Sequence, residues 1–69
     1  MREYHANAPQ VMRAAARIIR RHYGLTRPVT PAECKAEILN CARKRAAGTL
    51  DDNQALLTAA LINSGFIAA

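Results

Sequence analysis

The sequence predicts an all-α protein, a compact three-helix bundle completed by dimerisation. Apolar residues recur at helical spacing in three segments, a helix-starting signal precedes each of them, and a glycine follows each. No segment alternates apolar and polar residues in the way that predicts a strand. The predicted helices span residues 8–23, 31–47 and 50–64. The glycines that end them are Gly24, Gly48 and Gly65.

The first helix is expected to begin after Asn7, a residue type whose side chain accepts from the free backbone N–H groups of a helix start. Pro9 then falls in the first turn, where a missing N–H costs nothing. Residues 1–6 precede this cap, and we expect them to be frayed.

The second helix has the clearest start signal in the chain. Thr30 is placed to cap it, Pro31 occupies the first helical position, and Glu33 stands where its carboxylate reaches back to the cap. This Thr-x-x-Glu pattern predicts a capping box, in which two backbone N–H groups are satisfied reciprocally.

The third helix is expected to open with a weaker version of the same device, formed by Thr49 and Asp52. At its far end, Gly65 is placed to reverse the chain and Phe66 to fold back on Leu61, which is the contact that such closures often make.

Length and charge limit the function. The 69 residues form a single small helical domain, residues 1–69, whose Lys and Arg outnumber Asp and Glu by 10 to 5, a net charge of +5. After Arg45 the only charged residues are Asp51 and Asp52. A basic surface on part of the molecule favours nucleic acid, an acidic protein groove or an anionic membrane as its partner.

The cations of the first helix gather on one side. At about 100° per residue they share an arc of roughly 100°, opposite the apolar residues. We call this set the arginine stripe: Arg13, Arg17, Arg20 and Arg21. An ordinary solvated face is the simpler interpretation, since cations near a helix C-terminus complement its dipole. That explanation does not extend to Arg13 and Arg17, which lie further from the end.

The leading hypothesis is therefore a small nucleic-acid-binding or regulatory accessory protein. Its contacts to DNA or RNA phosphates would be salt-sensitive and largely independent of sequence. The predicted contact residues are Arg13, Arg17, Arg20, Arg21, Arg27, Arg43 and Lys44. A helix-turn-helix that reads bases with the third helix is disfavoured, because Asp51 and Asp52 would face phosphate. An acidic protein surface is the alternative partner.

The third helix is apolar around nearly its whole circumference, which predicts that something beyond two neighbouring helices covers it. We expect a second copy of the chain, with an interface formed by Leu57, Leu61, Phe66 and Ile67. The same property supports the alternative function, a protein-interaction module such as an adaptor, inhibitor or small subunit that docks through this helix.

Cys34 and Cys41 are predicted to be free, buried thiols. Seven residues along one helix separate them by about 10.5 Å, too far for a disulfide. Free thiols favour a reducing compartment, hence the cytoplasm. A zinc site that combines them with His5 and His22 lacks the close cysteine pairing of structural sites.

The sequence carries no phosphate-binding glycine loop, no paired catalytic carboxylates and no nucleophile–base set. We therefore expect neither an enzyme nor a cofactor, metal or small-molecule substrate. A membrane partner is not expected either, since the apolar face of the first helix lacks the bulky aromatic anchors of a membrane-surface helix.

Overall fold

A computed structural model of the chain describes residues 9–69 and contains three α-helices. They are α1 (Pro9–Tyr23), α2 (Pro31–Ala47) and α3 (Asp52–Asn63). Each helix packs against the other two. The predicted all-helical fold is confirmed, whereas the cap at Asn7 and the frayed residues 1–6 lie outside the described residues.

Helix α1 ends as predicted, at Gly24. This glycine has a φ of +66°, a left-handed conformation that residues with a Cβ rarely adopt. Its N–H donates to the carbonyl of Arg21 at 3.3 Å, and the N–H of Leu25 donates to that of Arg20 at 3.0 Å. The two bonds close the helix and turn the chain into the loop that leads to α2.

Helix α2 begins with the predicted capping box. The N–H of Glu33 donates to Oγ1 of Thr30 at 3.1 Å, and the N–H of Thr30 donates to Oε1 of Glu33 at 2.9 Å. Pro31 is the first helical residue, and Gly48 caps the far end. The whole helix therefore keeps its predicted bounds.

The predicted bounds of α3, residues 50–64, are wrong by two residues at the start and by one at the end, where Ser64 is the cap. Asp51 is the cap, and its carboxylate accepts from the N–H of Gln54 at 2.7 Å while the Gln54 side chain accepts from the N–H of Asp51. Thr49, the predicted cap, instead closes α2: its N–H donates to the carbonyl of Lys44 at 2.9 Å. Since Thr49 still completes the previous helix, the capping function passes to the next available side-chain oxygen, that of Asp51.

The chain reverses after α3 as expected. The N–H of Phe66 donates to the carbonyl of Leu61 at 2.8 Å, and both side chains are buried in the same core. Gly65, with a φ of +84°, makes this reversal possible. The last turn thus brings Phe66 and Ile67 back beneath the helices.

The core draws on all three helices and on the C-terminal turn. Its buried apolar residues are Met12, Ala15, Ile19, Cys34, Cys41, Leu57, Leu61, Phe66 and Ile67. Four of these, Leu57, Leu61, Phe66 and Ile67, were predicted to form a subunit interface. Their exposed fractions are 0%, 0%, 8% and 8%, so the folded chain itself covers them and leaves little of their surface for a second copy.

Both cysteines are buried and free, as predicted. The thiol of Cys34 donates to the carbonyl of Met12 at 3.8 Å, which links α2 to the start of α1. Burial raises the pKa of the Cys34 thiol and of the Cys41 thiol. Each therefore stays protonated at neutral pH and contributes to packing as a small apolar side chain. Within residues 9–69, no helix has both the length and the apolar character needed to cross a bilayer.

Candidate nucleic-acid interface

The four arginines of the arginine stripe are all exposed on α1. Ala15 and Ile19 on the opposite side are buried in the core, which fixes the helix and turns the stripe to solvent. Arg13, Arg17 and Arg21 follow one another at four-residue intervals, about 6 Å apart along the axis at about 1.5 Å per residue. They form a straight row of guanidinium groups on a rigid support.

Arg20 has a different role from the other three. Its Nε donates to the carbonyl of Leu25 at 3.2 Å, and its Nη2 donates to that of Thr26 at 3.3 Å. The side chain therefore holds the loop that follows α1. Two of its five N–H donors are occupied by this loop, and the others remain available to a ligand.

The row is not neutralised by acids in the part of the chain that the structure describes. There, Arg13, Arg17 and Arg21 make no hydrogen bond or ion pair, and the one salt bridge joins Arg27 to Glu33 at 3.0 Å. A low-cost arrangement would place a carboxylate four residues from each cation. No carboxylate of residues 9–69 compensates the charge of the row.

Two shallow hollows flank the row, and Arg17 forms the wall between them. The loop-side hollow, about 290 Å³, is lined by Arg13, Ala16, Arg17, Arg20, Pro28 and Val29. The α3-side hollow, about 300 Å³, is lined by Arg17, Ile18, Arg21, His22 and Ala60. Each hollow combines guanidinium groups with aliphatic side chains, so it suits a ligand that is anionic at one point and apolar beside it.

His22 borders the α3-side hollow and is half-buried at the edge of the core. Its ring meets that of Tyr23 edge to face, with centroids 4.8 Å apart and an interplanar angle of 81°. Among the described residues, nothing hydrogen-bonds to its buried Nε2. This buried nitrogen is an unsatisfied polar atom of a residue that lines the hollow, but the atom itself is not exposed to it.

The remaining predicted contact residues lie elsewhere. Arg27 is paired with Glu33 and also donates to the carbonyl of Pro28 at 3.1 Å, so its charge is already compensated. Arg43 is exposed and Lys44 is half-buried near the end of α2, and neither lines the two hollows. The structure therefore gathers four of the seven predicted residues into one surface.

Sequence reasoning missed a third groove, on the other side of the loop. It has a volume of about 490 Å³ and is lined by Ile19, Tyr23, Leu25, Arg27, Val29, Glu33, Ala36 and Glu37. The hydroxyl of Tyr23 donates to Glu37, which raises the pKa of Tyr23 to about 12, and the hydrogen bond from Arg27 helps to lower that of Glu33 to about 2. The four-residue spacing of Glu33 and Glu37, which places both carboxylates on one face of α2, was the sequence signal for this groove.

Comparison with protein families, with curated proteins and with solved structures found no match. The binding chemistry of the arginine stripe is therefore inferred from its side chains alone. Planar guanidinium groups donate two parallel hydrogen bonds to phosphate or carboxylate oxygens. A rigid row of them is suited to a ligand that carries several anionic groups in succession.

Proposed function

We propose that this protein binds nucleic acid through the arginine stripe, as a small accessory or regulatory protein. The observation that carries the proposal is the exposed row of Arg13, Arg17 and Arg21, which makes no ion pair within residues 9–69. A chain of phosphates satisfies all three guanidiniums at once. The binding is electrostatic and independent of base sequence, and it weakens steeply as salt is added.

A plain solvated face accounts less well for the row. Cations in the last turn of a helix complement its dipole, which explains Arg20 and Arg21. Arg13 and Arg17 lie beyond the reach of that effect, and like charges four residues apart cost a few tenths of a kcal/mol per pair. A negative ligand removes this repulsion, and it also uses donors that no other residue of 9–69 occupies.

The test is a mobility shift at low salt on short DNA and RNA, single-stranded and duplex. The variant Arg13→Gln/Arg17→Gln should lose retention, because it removes two phosphate contacts. A control of equal charge, Lys35→Gln/Arg45→Gln, removes two cations from α2, together with the Arg45 hydrogen bond to the Ala68 carbonyl, and should retain binding. Circular dichroism checks that both remain folded. Absence of a shift for the unaltered protein on every nucleic acid, or equal loss in both variants, would overturn the proposal.

A second candidate, self-association through α3, is favoured by one observation. Leu56 is 68% exposed, and Ala55 and Ala59 beside it on the helix are exposed as well. This face, rather than the four residues predicted from the sequence, is the part of α3 that a second copy can cover. Dimerisation would place two arginine stripes in one particle and so strengthen binding to a polyanion.

Sedimentation over a range of concentrations tests the dimer. Leu56→Gln should shift the protein towards monomer, whereas Leu39→Gln, which alters a leucine of α2 that is 55% exposed, should not. A protein that sediments as a monomer at every concentration would contradict self-association and leave the nucleic-acid proposal intact.

A further inference from the structure

We infer that Arg17 is the centre of a two-phosphate site and that the ligand it fits is the backbone of a duplex. The inference rests on the proposed function and makes it specific. Arg17 is the residue that lines both hollows, whereas Arg13 lines the loop-side hollow and Arg21 the α3-side hollow. The three arginines of the row are therefore not equivalent.

The chemistry of a guanidinium permits this shared role. It carries five N–H donors in a planar fork, enough for two phosphates on opposite edges. No described residue accepts a hydrogen bond from Arg17, so none of its five donors is used within residues 9–69. In the loop-side hollow Arg13 and the free donors of Arg20 complete the phosphate site, and in the α3-side hollow Arg21 does.

The aliphatic parts of the hollows indicate what accompanies each phosphate. Ala16, Pro28 and Val29 line one hollow, and Ile18 and Ala60 line the other. Sugar rings of a nucleic acid backbone present C–H groups next to each phosphate, and these pack well against aliphatic side chains. A surface that alternates guanidinium with aliphatic groups thus matches alternating phosphate and sugar.

The positions of the aromatic rings favour a duplex over a single strand. Proteins that bind single strands stack exposed bases on aromatic side chains. Within residues 9–69, Phe66 is buried in the core, and Tyr23 lines the third groove with its hydroxyl on Glu37. The half-buried ring of His22 does border the α3-side hollow, but it already packs edge to face against Tyr23. A duplex keeps its bases inside and offers the sugar and phosphate that the two hollows accept.

The experiment measures duplex affinity against salt concentration for three single variants. The slope of log K against log salt has a magnitude of about 0.9 per phosphate contact on B-DNA. Each of these variants removes one positive charge and should therefore lower that magnitude by a similar amount. At a fixed salt concentration, however, Arg17→Gln should weaken binding by a larger factor than Arg13→Gln or Arg21→Gln does, because it removes donors from both hollows. Arg17→Lys, which keeps the charge but lacks the fork, should give an intermediate loss. Arg and Gln have similar helix propensities, so these variants should fold.

The controls separate this inference from the proposed function. Lys35→Gln should leave the slope unchanged, and two duplexes of unrelated sequence should bind equally. Equal losses of affinity at fixed salt for the three Arg→Gln variants would overturn the central role of Arg17 while nucleic-acid binding stands. Tighter binding of a single strand than of the duplex would overturn the ligand assignment. Failure to bind any nucleic acid would remove the proposed function itself.

Discussion

Helices α1 and α3 contact each other, yet their outer surfaces are determined in different ways. On α1, arginines occupy one side and small or branched apolar residues the other, so only one rotation of the helix buries the apolar side. Around α3 the residues are apolar on almost every side, and the folded chain buries Leu57 and Leu61 while leaving Leu56 exposed. All three residues are leucines, so the residue type does not explain which of them is buried.

The difference shows that polar residues, more than apolar ones, indicate how a helix is oriented. Leaving a guanidinium in a core is far more costly than leaving a leucine in water, so the arginines of α1 exclude most orientations. Helix α3 has no such constraint after its first turn, where Asp52 is exposed. Its orientation is decided by the shape of the space between α1 and α2.

The largest expected effect compares two adjacent leucines of α3. Leu57→Ala should lower the free energy of unfolding by about 2–5 kcal/mol, because it removes a fully buried side chain and leaves a cavity. Leu56→Ala should change it by less than about 0.5 kcal/mol. Urea denaturation measures both. Similar losses for the two variants would mean that α3 is buried on its outer face as well, as a stable dimer would require.

This pair also marks the limit of what the sequence allows one to predict. The number and order of the helices, the bounds and capping box of α2, and the exposure of the arginine stripe follow from local rules and are confirmed, whereas the bounds and cap of α3 are not. The burial of Leu57 rather than Leu56 depends on contacts with residues distant in sequence, and periodicity in an all-apolar segment does not encode it. The interface was therefore assigned to core residues.

A smaller effect is expected at the entry to α3. Asp51→Ala should cost about 1 kcal/mol, since it removes the side-chain acceptor of the capping box and an anion at the positive end of the helix. Thr49→Ala should cost less, because its hydroxyl makes a single long bond of 3.4 Å to the carbonyl of Lys44. The reverse order in thermal denaturation would restore Thr49 as the cap.

The site has its own gap between sequence and structure. The spacing of four arginines predicts a shared face, but nothing in it separates Arg20, which holds the loop, from Arg21, which makes no bond with the described residues. The loop carbonyls that occupy Arg20 are brought near it by the left-handed turn at Gly24. The different roles of Arg20 and Arg21 therefore could not be predicted from the sequence and became visible only in the structure.

At the end of α1, substitution of the neighbouring residues Arg20 and Arg21 should change the free energy of unfolding by amounts that differ less than in the α3 comparison. Arg20→Gln should cost about 0.5–1 kcal/mol more than Arg21→Gln, because it loses two exposed bonds to loop carbonyls. The two substitutions remove similar favourable interactions with the helix terminus, so that contribution cancels. Binding should respond in the opposite order, with Arg21→Gln the more harmful. Equal unfolding curves would show that the loop does not depend on Arg20.

The smallest expected effect is the loss of stability in acid at Glu33. It reports on electrostatic stabilisation at the start of α2, whereas the burial of Leu57 in α3 does not depend on pH. The hydrogen bond from Arg27, together with that from the N–H of Thr30, lowers the pKa of Glu33 to about 2 in the folded chain, below its value when unfolded. The stabilisation is thus present above the unfolded pKa and is lost as the pH falls towards 2. Because Glu33 is exposed, the loss should be small and should shrink further in high salt.

Denaturation between pH 6 and pH 2 tests this on three variants, at about 0.1 M salt, where exposed charges still interact over about 10 Å. Glu33→Gln keeps an acceptor for the N–H of Thr30 but does not ionise, so its stability should fall less steeply with acid than that of the unaltered protein. Asp52→Asn controls for the loss of one exposed carboxylate. Leu57→Ala should retain the pH dependence of the unaltered chain, because burial of a hydrocarbon does not titrate. If Glu33→Gln followed the same acid profile as the unaltered chain, the capping carboxylate would not be coupled to folding, and α2 would depend on packing as fully as α3 does.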